Sequence, residues 1–338
     1  MIAIHTKSGS FVSAWVKFCD ENSIAYKEVN CFDTDIIDQL QGCRALLWNW
    51  AHHDYRAQIF ARQLTASVER MGVAVFPSSS TAWHYDDKVG QKYLLEAIGA
   101  PIVPSFVFYD EGEALDWVET TSFPKVWKLR SGAGSQNVRL ISNARLARNY
   151  VRKAFSTGWS NSRAHAFKDR LWDFRKERNL KTLLNISKGV ARLVVPHQNN
   201  RKSPLQRDYI YFQDFIPDND CDIRVIVIGE KAFAIKRMVR GGDFRASGSG
   251  IIRYDRQEIP IDCIEVAFEV TDALGSQSCA FDFVQRDGEW LIVEVSYAFN
   301  LAGYSRCPGY WRKDLTWCQG PVLPEQYMIE NLLSNSEG

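Results

Sequence analysis

The chain has 338 residues, 46% of them hydrophobic and 24% charged, with a formal net charge of +1. Such a length points to two or three lobes rather than one core, and so small a net charge excludes an overall pull toward polyanions. No apolar run approaches the roughly 20 residues that a spanning helix needs. The start, Met1 to Thr6, lacks the long apolar stretch and cleavage site of a signal peptide. Eight cysteines are scattered without a C-x-x-C pair, so they read as buried thiols of a reducing cytosol, not as a disulfide framework or zinc site.

Residues 1 to about 80 alternate strand and helix. Strands are expected at Ile2 to Thr6, Ala25 to Val29, Ala45 to Trp50 and Val73 to Phe76, with helices at Phe11 to Asn22 and Arg56 to Met71. Alternation of this kind predicts a parallel sheet and an α/β class. No Gly-x-Gly-x-x-Gly follows the first strand, so a dinucleotide fingerprint is missing. His52-His53-Asp54 follows a strand end and reads as a loop facing solvent or substrate, not as a metal cluster.

Pro77-Ser78-Ser79-Ser80 marks a lobe boundary. Asp86-Asp87-Lys88 then opens a helix that runs through Ile98 and stops at Gly99. A strand at Ser105 to Tyr109, a helix at Glu111 to Thr120 and a strand at Pro124 to Leu129 follow. Directly after stands Arg130-Ser131-Gly132-Ala133-Gly134-Ser135-Gln136-Asn137. Its small residues let backbone N–H groups close over phosphates, with Lys128 supplying positive charge; the alternative is a mobile surface hairpin. It is not a P-loop, which needs Gly-Lys-Ser/Thr opening a helix.

Residues 145 to 207 hold 16 Lys/Arg against 3 Asp/Glu, a local excess of +13. A charge run is usually a solvated face, but this excess favours an anionic partner, and the interleaved aromatics suggest a helical cover. No nucleic-acid motif accompanies it, so nucleic acid is not expected. Strands resume at Tyr209 to Phe215, Asp222 to Ile228 and Lys231 to Val239. Polar Asp222, Arg224 and Lys236 are out of place there for a plain core. Phe244-Arg245-Ala246-Ser247-Gly248-Ser249-Gly250 is a glycine-rich loop carrying an arginine, and a helix spans Asp262 to Leu274.

The segment Asp282 to Asn300 is a hairpin with one carboxylate inside each strand, Asp282 and Glu294. Such groups are costly among Phe, Val and Ile unless each pairs with an arginine or both hold a divalent cation. Loop length decides whether they meet. A three-residue loop, Arg286-Asp287-Gly288, places Asp282 opposite Ile292 and diagonal to Glu294, with Ser296 on the same face. Phe281, Phe283, Leu291, Val293 and Val295 then form the core face. We therefore expect that loop.

Taken in order, these motifs resemble the ATP-grasp ligases, most closely the branch of glutathione synthetases and ribosomal-protein glutamate ligases. The resemblance rests on residues 86 to about 300: the Asp-Lys helix followed by Gly-Ala-Pro, Pro124 to Lys128 with its glycine loop, Gln213-Asp214-Phe215-Ile216, Asp222-x-Arg224, Ala234 to Arg237, Phe244-Arg245, and the Asp282…Glu294 hairpin. It implies an ATP-grasp fold with an α/β domain before it: residues 1–82, then a small lobe over 83–212 with a basic insertion at 145–207, then a large lobe over 213–338.

The implied activity is an ATP-dependent carboxylate–amine ligation through an acyl phosphate, with ATP and Mg²⁺ (or Mn²⁺) as cofactors. Lys88 and Lys128, with Ser131, Gly132, Gly134 and Ser135 of the loop, would face the nucleotide. Gln213, Asp214, Phe215 and Ile216 would line the adenine site, and Asp222 would sit near the ribose. Lys236 would hold phosphates, Arg224 and Arg245 the acyl phosphate, and Asp282, Glu294 and Ser296 the metal. Ser296 stands where the family has Asn, which leaves the third ligand to Ser296, water or Asn300. Implied partners are small-molecule carboxylate and amine substrates, one of them anionic, in a cytoplasmic protein compatible with a homodimer. The chain is also similar to ATP-grasp proteins of bacterial surface-polysaccharide gene clusters. A kinase on the same fold and a non-catalytic nucleotide-binding protein are the alternative readings.

Overall fold

The computed structural model describes residues 1–6, 11–52, 54–132, 137–159, 205–240 and 249–334. The basic segment 160–204, the loop residues Ala133 to Gln136, Phe244-Arg245 and His53 lie outside the described residues. The chain divides into two compact units. The first comprises Met1–Tyr85, Gly90–Val103 and Ile216–Gly338; the second comprises Asp86–Val89 and Pro104–Phe215.

In the first unit the amino-terminal residues build a parallel sheet. Its strands are β1 (Ile2–His5), β2 (Tyr26–Val29), β3 (Ala45–Leu47) and β4 (Ala74–Phe76), in the order β2-β1-β3-β4. Every pair in it is parallel, as the alternation predicts. Helix α1 (Val12–Glu21) buries Val12, Trp15 and Cys19, a helical stripe against the sheet. The four-residue helix α2 (Ile36–Gln39) follows β2. Helix α3 (Tyr55–Glu69) starts where the Asp54 carboxylate accepts from the Ala57 N–H at 3.2 Å. The short α4 (Ser79–Ala82) is capped by Ser78 in the same way.

An antiparallel sheet of seven strands forms the second sheet of the first unit. Its long strands are β9 (Cys221–Ile228), β10 (Lys231–Met238), β12 (Ser278–Arg286) and β13 (Glu289–Ser296). The short β11 (Ile252–Arg253) pairs with β10, and β14 (Gly309–Arg312) and β15 (Trp317–Gln319) extend the sheet past it. Alternation divides the sheet cleanly. Ile223, Val225, Val227, Phe281, Phe283 and Val295 pack on helix α8 (Ile261–Leu274) through Cys263, Ile264, Ala267 and Phe268. That helix ends at Gly275, whose φ of 58° is the left-handed cap. The other face sets Ile226, Ile228, Phe233, Ile235 and Ala280 against α1, β1 and the terminal helix α9 (Pro324–Ser334). Burying Phe281 and Phe283 contributes about 1.5–3 kcal/mol each.

The second unit is an antiparallel sheet in the order β5-β8-β6-β7, from β5 (Ser105–Phe108), β6 (Lys125–Lys128), β7 (Val138–Ile141) and β8 (Ile210–Asp214). Helices α6 (Glu111–Thr120) and α7 (Ala144–Ala154) cover one face, where Trp117 stacks on Phe212 beside Trp127 and Ile210. Helix α5 (Lys88–Ala97) begins in this unit and continues in the first. All eight cysteines are free thiols, and seven of them are buried. No helix among the described residues is long and apolar enough to cross a membrane.

Candidate active site

The hairpin corrects one expectation and rescues its consequence. Arg286 pairs with Glu289, so the loop has two residues, not three. Asp287 and Gly288 both take positive φ, 53° and 90°, as a type I′ turn requires. That turn matches the right-handed strand twist, and Asp tolerates the left-handed region better than most residues. A regular ladder from this turn would have put Asp282 opposite Val293, with Glu294 on the other face. A bulge intervenes between Asp282 and Phe283: Phe283 pairs with Ile292, and Asp282 pairs directly with Glu294. Val293 is the extra residue, and the following register also sets Ser296 opposite Ala280. The core face is corrected with it. Ile292 joins Phe281, Phe283 and Val295, while Leu291 and Val293 pack with Val103, Val284 and Ile216.

On that sheet face four charged residues interlock. Arg224 lies beside Asp282 in the β9–β12 register and grips it with two bonds, Nε to Oδ1 at 2.5 Å and Nη2 to Oδ2 at 2.7 Å. Arg237, opposite Asp222 on β10, donates from Nε to Asp222 Oδ1 at 2.7 Å and also from Nη2 to Oδ2. The same Arg237 Nη2 lies 2.9 Å from Asp282 Oδ1. Burial alone would push the Asp282 carboxyl up, but the Arg224 and Arg237 guanidiniums overturn that and hold it below the usual range. Asp222 has the opposite balance. Burial first, then the neighbouring Asp282 charge, raises it despite Arg237. Arg224 is held firmly protonated by Asp282.

Arg237 escaped the sequence reading, which chose Lys236. The structure does not bring Lys236 to this cluster. It pairs with Ile223, on the α8 face, and its ammonium lies 3.2 Å from Glu258, which also takes Arg253 at 3.0 Å. The signal was present. Ile228 pairs with Lys231 across Gly229-Glu230, and counting outward from that turn puts Arg237, not Lys236, opposite Asp222.

Asp282 and Glu294 are register partners on one sheet face and are the candidate ligands for a cation. Among the described residues no group of three or more His, Cys, Asp or Glu is arranged for one. Mg²⁺ is usually held by one or two carboxylates with substrate phosphates completing the shell, so the pair fits. Glu294 is half-buried and directly opposite Asp282. Ser296 shares the face, but its hydroxyl closes a local turn, donating to Ala298 O at 2.9 Å and accepting from Ala298 N at 3.2 Å. The Asn300 side chain caps the turn at Leu301–Gly303 by accepting from Ala302 N.

The second unit holds the predicted nucleotide residues on the sheet face away from α6 and α7. Buried Lys128 donates to Gln213 Oε1 at 2.6 Å, and Gln213 Nε2 donates to Ser105 Oγ at 3.1 Å. Tyr211 donates to the same hydroxyl at 2.9 Å. Lys88, also buried, reaches Gly132 O at 2.8 Å, while the Asp86 carboxylate accepts from Gly132 N at 2.7 Å. Ser131 accepts from Gln206. The Asp214 side chain points to the helix-covered face and pairs with Lys125 at 2.5 Å, and its backbone N–H donates to Pro104 O at 2.8 Å. The chain leaves this unit between Phe215 and Ile216. Gly134, Ser135 and Arg245 lie outside the described residues.

The sequence matches the model of the RimK-like ATP-grasp domain over residues 184–310. Among curated proteins none matches it significantly. In fold it is similar to a RimK-domain ATP-grasp protein of Sphaerobacter thermophilus, with 13% identity, 98% of this chain and 99% of that one covered, and a TM-score of 0.55. It is similar also to the D-alanine–D-alanine ligase of Bacillus anthracis complexed with ATP, with 13% identity, 99% and 96% coverage and a TM-score of 0.52. The biotin carboxylase domain of the Hydrogenobacter thermophilus 2-oxoglutarate carboxylase, a dimer with MgADP and bicarbonate, gives 13% identity and a TM-score of 0.58. Here 89% of this chain is covered, and it spans 64% of that one. The chain has the ATP-grasp fold, and its residues 184–310 are similar to the RimK-like ATP-grasp domain.

Proposed function

We propose that this protein is an ATP-dependent carboxylate–amine ligase. The observation that carries the reading is the cluster of Arg224, Arg237, Asp222 and Asp282 facing Glu294 on one sheet face of an ATP-grasp fold. A carboxylate is a poor acyl donor, and transfer of a phosphoryl group to it makes an acyl phosphate, whose acyl carbon an amine attacks with phosphate as the leaving group. Negative charge builds on phosphoryl oxygens in that step, and guanidinium and ammonium groups stabilise it. Arg224 and Arg237 supply two such cations, and the resemblance to ATP-grasp ligases assigns the nucleotide to the buried Lys88 and Lys128 of the second unit. Gln213 orients Lys128, and the backbone of 215–216 is the segment we assign to the adenine edge. A divalent cation at Asp282 and Glu294 would neutralise phosphoryl charge. No side-chain nucleophile is needed.

The test is turnover of Mg·ATP against a panel of carboxylates and amines, reading ADP and the organic product. A new amide with ADP and phosphate supports the ligase; a stable phosphoester, or no turnover in any combination, removes it. The sequence likeness to proteins of surface-polysaccharide gene clusters makes polysaccharide precursors the first acceptors to include.

A further inference from the structure

Asp282 has more cationic partners than one carboxylate needs. Arg224 takes both of its oxygens, at 2.5 and 2.7 Å, and Arg237 approaches Oδ1 at 2.9 Å. The two arginines are not equivalent. Arg237 is shared with Asp222, whereas the carboxylate that Arg224 pairs with among the described residues is Asp282. Glu294 stands directly across from Asp282. Beneath the cluster the face is apolar, with Phe233, Ile235, Ala280 and Tyr304 buried in one core.

A divalent cation bound to Asp282 must use oxygens whose lone pairs already receive three guanidinium N–H groups. It would then meet two like charges at ion-pair range, where side chains 17–25% exposed leave water only partial screening. Holding the metal and both guanidiniums at once is unfavourable. The residue that can move away is Arg224, because Arg237 is anchored beside the site by its two bonds to Asp222.

We infer that Asp282 is an exchange point: Arg224 occupies it in the metal-free protein, a divalent cation entering between Asp282 and Glu294 displaces Arg224, and the released guanidinium then takes up substrate oxyanions. This rests on reading the cluster as the phosphoryl-transfer site. Metal and anion consequently tighten each other's binding, reciprocally, because the metal releases the group the anion needs. The metal-free protein keeps its strongest anion ligand closed.

The experiment is titration of the full chain with Mn²⁺ alone, without nucleotide, read by the spin-resonance signal of free Mn²⁺. Arg224→Gln removes the competitor and should bind Mn²⁺ about tenfold or more tighter than wild type, whereas Glu294→Gln should bind it about tenfold or more weaker. Sensitivity to Glu294→Gln with no tightening in Arg224→Gln overturns the exchange and leaves the site reading standing. Indifference to Glu294→Gln overturns the site reading itself. Should Arg224→Gln not fold, side-chain NMR of the wild type decides. Mg²⁺ alone should speed hydrogen exchange at Arg224 Nε–H about tenfold and leave Arg237 Nε–H unchanged; equal protection with and without Mg²⁺ overturns the exchange.

Discussion

The Arg237–Asp222 pair is the contact whose removal should cost the fold most for a single polar change. The Arg237 side chain is 16% exposed and that of Asp222 4%, and the pair is bidentate. Arg237→Gln leaves Asp222 buried without its counter-charge, and breaking a buried pair from one side costs about 3–5 kcal/mol. Asp282 retains Arg224, so the lower end, about 3 kcal/mol, is expected. Asp222→Asn leaves Arg237 with Asp282 as a partner, and should cost about 1–2 kcal/mol. The double variant removes both charges and lets two amides hydrogen-bond, so its loss should fall below the sum by about 2 kcal/mol. Urea unfolding of the four proteins at one pH measures this cycle. Additive losses, with a coupling under about 0.5 kcal/mol, would refute the claim that these groups stabilise each other. The exposed Arg148–Glu119 pair, bidentate at 2.6 and 2.8 Å, is the control, and Arg148→Ala should leave the midpoint unchanged within error.

Two further outcomes follow from placement. Lys128→Ala should weaken Mg·ATP binding about tenfold in calorimetry, as loss of a charge-assisted contact does. Lys236→Ala, whose side chain lies on the opposite face from Arg224 with Glu258, should leave it within about twofold. Gly309→Ala should destabilise the sheet edge, since a Cβ there would stand 2.2 Å from Cys318 O and 2.6 Å from the Trp317 ring. Gly303→Ala, with nothing within 4 Å of its Cβ, should barely shift the thermal midpoint.

Much of the fold was legible because it depends on period. Short apolar runs between helical stripes gave β1, β3 and β4, and the Glu111 to Thr120 helix was placed to the residue; Asp110 caps it in the structure. The tail was not read: β14 and β15 are too short for alternation to announce them, and the helix α9, Pro324–Ser334, was missed although it buries Tyr327, Met328, Ile329 and Leu332. Within the site, residue types were readable but faces were not. Lys236 and Arg237 are neighbours of similar charge, and only the register of β10 against β9 separates them. Asp214 misled for the same reason, since Gln213 beside it faces Lys128 while Asp214 faces Lys125.

The bulge is the extreme case, because one residue invisible to any pattern of alternation sets which carboxylates meet. Its consequence is counter-intuitive. Val293 is the extra residue, so deleting it should not flip Glu294 to the other face; it should leave a regular ladder with Phe283 opposite Ile292 and Asp282 still opposite Glu294. The buried pairs on either side, Phe283 with Ile292 and Phe281 with Val295, enforce that register. The deletion loses the packing of Val293 on Val103 and Leu291, a cost of about 1–2 kcal/mol for a partly buried valine. Mn²⁺ affinity of the deletion protein should therefore stay within about threefold of wild type, well short of the loss from Glu294→Gln. A deletion protein that folds cooperatively yet loses Mn²⁺ as fully as Glu294→Gln would show that the bulge itself aims Glu294, and that the pairing read from the ladder is not what brings the two carboxylates together.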